Sequence, residues 1–210
     1  MSATLRNLVG LALALGAAVL LTVFGAPPKA ELAIRLVHEA GWWCAVGAVL
    51  LYHAATWTHP LGSMGLHALG PRDVLIAAGA GIVLMAAIVL VYLGLFPVVL
   101  LSLSLSHTPN ILEMPWWYRA VMVARIAVAE ELLFRSVAIE RMSALTSRWI
   151  AAALSLAAFV GANWSGWDPV NAILAAVTGA LLTVLYLWRR NAGVNIVARA
   201  IAAGAGYLLH

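Results

Sequence analysis

Long apolar runs alternate with short polar loops along the whole of this chain. A transmembrane α-helix needs about 20 consecutive apolar residues, and most of these runs have about that length. The runs lie at about residues 7–24, 34–57, 73–106, 115–145, 148–163, 169–188 and 194–209. The pattern therefore predicts an all-α fold, a polytopic membrane helix bundle of about seven transmembrane helices.

Two of the apolar runs need an interpretation of their own. The run at 73–106 is too long for one straight span and contains Pro97, so it predicts a kinked helix or a span followed by a surface turn. The run at 7–24 follows Arg6, as the apolar core of a signal peptide would. Its length and the pair of prolines after it favour a retained helix.

The composition excludes several other classes of protein. The chain is 64% hydrophobic and 10% charged, whereas soluble domains carry roughly 25% charged residues. The net charge of +4 comes from residues at helix ends and not from a basic run, so it indicates membrane topology and not nucleic-acid binding. Cys44 is the single cysteine, which excludes an internal disulfide and a thiolate metal cluster.

Basic residues are distributed unevenly between the two sides of a seven-helix bundle. One side has Arg6, Arg72, Arg141, Arg148, Arg189 and Arg190. The other side has Lys29, Arg35 and Arg119. Because loops rich in lysine and arginine stay in the cytoplasm, this distribution predicts a cytoplasmic N-terminus and an outer C-terminus, in what we expect to be a bacterial inner (plasma) membrane.

Two adjacent carboxylates, Glu130 and Glu131, lie inside the fourth apolar segment. A charge in this position costs a few kcal/mol on insertion scales, so it needs a partner and usually serves a function. Glu131 and Arg135 are spaced i,i+4 in the favourable acid-first order and are predicted to pair. Glu130 points about 100° away on an α-helix and stays available to act on a water. The alternative is a helix-packing ion pair with no chemistry.

The motif formed by Glu130, Glu131 and Arg135, with Phe134 before the arginine, resembles the first motif of the CPBP family. This family (CAAX protease and bacteriocin-processing, also called Abi) comprises polytopic intramembrane glutamic proteases, including type II CAAX prenyl endopeptidases. The resemblance covers about residues 115–209 and implies a CPBP-like four-helix core at 115–210. Residues 1–114 would then supply about three further spans.

The later family motifs are altered in this chain. Where the family has Phe-x-x-x-His, this sequence has Phe159 and then Asn163, and Arg199 aligns with the histidine of a third motif. The resemblance implies that Glu130 activates water. Asn163 can donate to an oxyanion, and Arg199 can polarise a carbonyl, bind a substrate carboxylate or pair with Glu130. Phe159 and Asn195 are assigned to substrate binding, with Asn195 on the same wall as Arg199.

Distances along the helices predict that three of these residues meet. At about 1.5 Å per residue from the cytoplasmic arginines, Glu130 lies roughly 16 Å deep, Asn163 roughly 22 Å and Arg199 roughly 14 Å. Side chains from three helices at similar depth predict a shared cavity, entered from the membrane or from the outer face.

The sequence thus predicts an intramembrane endopeptidase that uses a glutamate-activated water. Its substrate would be a membrane-anchored peptide or a C-terminal protein-sorting tail, and its other partner is the lipid bilayer. The main alternative is a catalytically inactive CPBP-like protein that binds a peptide or a partner subunit, which the loss of both family histidines favours. The histidines show no ligand spacing, so neither a metal nor a cofactor is predicted. A small transporter is disfavoured because the paired broken helices typical of that class are missing from the pattern.

Overall fold

The computed structural model describes residues 2–25, 30–95, 97, 111–164 and 169–209, and these ranges are helical with no β-strand among them. The first half contains α1, α2, the short α3 and α4, at Ala3–Val23, Leu32–Thr56, Pro60–Ser63 and Pro71–Gly94. The long helix α5 covers residues 116–143 as three consecutive parts, Trp116–Arg125, Ile126–Val137 and Ala138–Ser143. The last three helices are α6, α7 and α8, at Arg148–Ala162, Pro169–Arg189 and Ala192–Leu208.

This architecture confirms the predicted polytopic helical bundle. Four of the described helices, α1, α2, α4 and α7, are long and apolar enough to cross a membrane, and α6 and α8 are shorter apolar helices. The predicted boundaries of the last four segments agree with the helices to within a few residues. In the third segment the helix ends at Gly94. Most of the predicted remainder, residues 98–106, lies outside the described residues.

The helices pack through small residues and buried aromatic rings. Gly81 of α4 faces α8 so closely that a Cβ there would lie 2.9 Å from the side chain of Ile201. Small residues allow this approach, which gives van der Waals contact between helices that have no hydrophobic drive to associate in lipid. Phe134 of α5 and Phe159 of α6 are buried and meet edge to face, with ring centroids 5.2 Å apart.

One end of the bundle is held by contacts between helix starts and helix ends. Arg6 at the start of α1 donates to the carbonyl of Thr56 at the end of α2, at 3.0 Å. Arg189 at the end of α7 pairs with Asp73 at the start of α4, and Arg190 pairs with Glu140, near the end of α5, at 2.9 Å. Successive long helices therefore alternate in direction. We call this end the arginine-rich end; it carries Arg6, Arg72, Arg141, Arg148, Arg189 and Arg190.

Candidate active site

The two adjacent glutamates lie in a stretch of α5 that is wound as a π-helix, Ile126–Val137. Hydrogen bonds in a π-helix run from i to i+5, and such turns occur frequently at functional sites. The winding directs Glu130 and Glu131 to different neighbours. Glu130 reaches a cavity, whereas Glu131 is fully buried.

Glu131 belongs to a sealed structural cluster. Its Oε1 lies 3.2 Å from Nη1 of Arg135, and neither side chain has any exposed surface. Its Oε2 accepts a hydrogen bond of 3.1 Å from Nδ2 of Asn195, which also donates to the carbonyl of Leu182 at 2.7 Å. The guanidinium of Arg135 lies 3.9 Å from the centroid of the Phe159 ring, a cation–π contact. Glu131 is thus satisfied on both oxygens and joins α5 to α8.

Glu130 belongs to a chain of alternating charges that crosses three helices. Its Oε1 lies 2.7 Å from Nη1 of Arg125, and its Oε2 lies 3.4 Å from Nη2 of Arg199 on α8. Arg125 also reaches back to α2, where its Nε lies 3.1 Å from Oε2 of Glu39. The ring of Trp42, one turn along α2, lies under the same guanidinium at 5.3 Å. Arg125 therefore joins two carboxylates, and the contact to Arg199 is the loosest in the chain of charges.

A cavity of about 540 Å³ lies beside this chain of charges, large enough for a ligand. Glu130, Arg125 and Arg199 line it together with Phe159 and Asn163 of α6. Glu130 keeps 11% of its side-chain surface and Arg199 keeps 15%. Their functional groups are therefore desolvated but not sealed. Arg199 Nε has no hydrogen-bond partner among the described residues.

The structure brings together most of the residues predicted for the site. Glu130, Asn163 and Arg199 share one cavity, as their predicted depths indicate, and Phe159 forms part of its wall. Asn163 sits at the end of α6, and its Nδ2 donates to the carbonyl of Phe159 at 2.8 Å. Asn195 differs from the prediction. It is fully buried and does not line the cavity, because it lies one turn further from the cavity than Arg199 and its amide is bonded to Glu131 and to the carbonyl of Leu182.

Two residues of the site, Arg125 and Glu39, are not among the site residues predicted from the sequence. Arg125 and Glu130 are five residues apart, which places them on different faces of an α-helix but on the same face of a π-helix. Glu39 is a single carboxylate within the apolar segment of α2, and its burial next to Arg125 explains why that segment can hold it. A carboxylate in an apolar segment is the signal that could have identified it.

The described residues around the site offer no obvious set of metal ligands. Across the described residues, no three His, Cys, Asp or Glu side chains are grouped so that they could hold a metal ion. The cavity instead presents guanidinium and amide groups beside one carboxylate. These donors are suited to hydrogen bonding with a peptide carbonyl or with an anion.

Comparison with known proteins gives a family match in the second half of the chain. Residues 112–204 match the family model described as type II CAAX prenyl endopeptidase Rce1-like. The match spans α5 to α8 almost completely and confirms, for this part of the chain, the resemblance to the CPBP membrane proteases. No curated protein and no solved structure matches the chain.

Proposed function

We propose, with the protease family of residues 112–204 as the premise, that this chain is an intramembrane endopeptidase in which Glu130 activates a water. The substrate is a membrane-associated peptide or a C-terminal protein-sorting tail. In this proposal residues 115–210 supply the reacting groups. The helices of residues 1–114 close the cavity and hold Arg125 through Glu39.

The observation that carries this proposal is the different placement of the two adjacent glutamates. Glu131 is fully buried, with Arg135 and Asn195 bonded to its two oxygens. Glu130 faces a cavity that also presents Arg199 and Asn163. A site that only needed an ion pair for packing would have no reason to place a second carboxylate beside an open space. A general base, by contrast, must reach the water that it deprotonates.

The water and the scissile carbonyl would bind at the loose contact between Glu130 and Arg199. Its N–O separation of 3.4 Å is longer than that of a typical N–H···O hydrogen bond. A water bound to Oε2 of Glu130 and a substrate carbonyl bound to Arg199 would replace this contact. The tighter contact to Arg125, at 2.7 Å, keeps the carboxylate in place.

The proposed reaction needs only groups that line the cavity and one water. Glu130 takes a proton from the water, and the resulting hydroxide adds to the carbonyl carbon of the scissile peptide bond. The guanidinium of Arg199 and the amide of Asn163 stabilise the oxyanion. Collapse of the tetrahedral intermediate breaks the C–N bond, and Glu130 returns the proton to the leaving amine.

A cleavage assay in membranes tests this proposal. Wild type, Glu130→Gln and Arg199→Gln are each co-expressed with tagged, membrane-anchored candidate tails, with Glu31→Gln as a matched control because Glu31 is exposed at the start of α2. We expect cleavage by wild type and by the control. Loss of the base should lower the rate about 10²–10⁴-fold, and loss of the oxyanion donor about 10²–10³-fold. Cleavage that persists in Glu130→Gln would contradict the proposal.

One observation favours a second function, a catalytically inactive relative that binds a membrane peptide or partner subunit. Both oxygens of Glu130 are already paired with arginines, and a fully paired carboxylate can serve packing alone. The same assay separates the two functions. A binding protein would capture a tail without cutting it, in wild type and in Glu130→Gln alike.

A further inference from the structure

The cavity occupies one half of the bundle, the half that lies away from the arginine-rich end. On α1 and α4 it is lined by residues close to the helix ends, Thr22 and Tyr92. On α2 and α7 it is lined by residues close to the helix starts, His38 and Asn171. Because successive helices alternate in direction, these positions all lie at the same end of the bundle. We call it the cavity end.

The residues of α5, α6 and α8 that line the cavity also lie towards the cavity end. Asn163 caps the end of α6, and Tyr207 lies next to the end of α8 at Leu208. Arg199, nine residues before Leu208, lies roughly 14 Å below that end. The cavity thus runs from the charged chain of Glu130 towards the cavity end.

The arginine-rich end is closed by packed side chains. The ring of Trp57 lies against two guanidiniums, 4.8 Å from that of Arg6 and 4.4 Å from that of Arg141. Met64, which follows α3, is fully buried in the core, and its carbonyl accepts a hydrogen bond from Ser136 of α5. A peptide that approached from this end would have to displace these contacts before it reached Glu130.

The distribution of charge relates the two ends to the two sides of a membrane. The arginine-rich end carries six of the 12 lysine and arginine residues of the chain. Within the described residues of the cavity end, the arginines other than Arg125 and Arg199 of the site are Arg35 and Arg119. Membrane proteins retain their arginine-rich loops in the cytoplasm. The arginine-rich end is therefore assigned to the cytoplasm and the cavity end to the opposite side.

We propose that the cavity opens to the non-cytoplasmic side of the membrane and receives a segment that has already been exported. The side on which the cavity opens follows from the geometry and charge of the bundle alone. That the exported segment is a substrate rests on the function proposed above. Together they define the substrate class as a translocated protein that is still anchored in the membrane, with its cleavable segment on the outer side.

Labelling of single cysteines tests the sidedness without any need for cleavage. Cys44→Ala provides a cysteine-free background, since Cys44 is the single cysteine. Ala203→Cys then places a thiol on the α8 wall of the cavity, and Thr146→Cys places a matched, exposed thiol in the loop before α6 at the arginine-rich end. Each full-length variant is treated with a membrane-impermeant maleimide in right-side-out spheroplasts and in inverted membrane vesicles.

We expect Ala203→Cys to react in spheroplasts and Thr146→Cys to react only in inverted vesicles. The opposite pattern would overturn the proposal, and so would a failure of Ala203→Cys to react from the outer side while a permeant maleimide labels it. In the cleavage assay, the same candidate tail is attached to an exported and to a non-exported membrane protein, and only the exported form should be cut. A protein that cuts no tail would contradict the protease function and leave the labelling result valid.

Discussion

Glu131→Gln tests whether the buried glutamate is structural, and the structure indicates a large effect on stability. The substitution removes the negative charge but leaves the Arg135 guanidinium, which has no exposed surface, without a counter-ion. Removal of one partner of a buried ion pair costs about 3–5 kcal/mol. Besides the neutral amide oxygen of the glutamine, Arg135 keeps its contact with the Phe159 ring and a weak hydrogen bond of 3.5 Å to the carbonyl of Gly179. We therefore expect the free energy of unfolding to fall by about 3–5 kcal/mol.

The assay is reversible unfolding in mixed detergent micelles, with the single variants Glu131→Leu and Arg135→Met and the double variant Glu131→Leu/Arg135→Met measured beside it. Replacing both charges with apolar side chains leaves no buried ion. The double variant should therefore lose less unfolding free energy than the two single variants lose together. The coupling between residues in direct contact is about 0.5–3 kcal/mol. Additive effects, or a Glu131→Gln variant as stable as wild type, would refute the structural role given to this pair.

Two further substitutions probe the supports of the site. Arg125→Ala leaves the buried carboxylates of Glu39 and Glu130 without their shared cation, so we expect unfolding to become easier by about 3–5 kcal/mol, and a wild-type unfolding curve would show that Arg125 does not hold them. Gly179→Val adds a side chain whose Cβ would lie 2.9 Å from neighbouring atoms, which should cost about 1–3 kcal/mol. Gly161→Val is the control in the same unfolding assay, because a Cβ there meets nothing within 4 Å, and equal effects at the two glycines would contradict the packing described around Gly179.

The sequence could predict the helices because a helix that crosses the bilayer needs an apolar run whose length matches the hydrocarbon core. The last four predicted segments agree closely with α5 to α8. It could also predict that Glu130, Asn163 and Arg199 meet, since depth along a helix follows from residue number alone. The roles assigned to these residues stay predictions, because placement in one cavity does not measure activity.

The remaining features depend on local winding and on packing, which depth does not determine. The π-helix at Ile126–Val137 turns Arg125 towards Glu130, whereas α-helical winding would place these two residues on different faces. The sequence predicts Asn195 on the cavity wall because it lies one turn from Arg199. In the structure its amide is used by Glu131 inside the core.

The role of Glu130 as the general base is decided by the cleavage rate of purified Glu130→Gln in lipid bilayers, measured together with its unfolding free energy. We expect a rate lowered about 10²–10⁴-fold in a protein that folds normally, since the glutamine amide oxygen would still accept the hydrogen bond from Arg125 but could not take a proton. An unchanged rate would contradict the account. So would a variant that loses activity only because it unfolds, since Glu130 would then be a structural residue like Glu131.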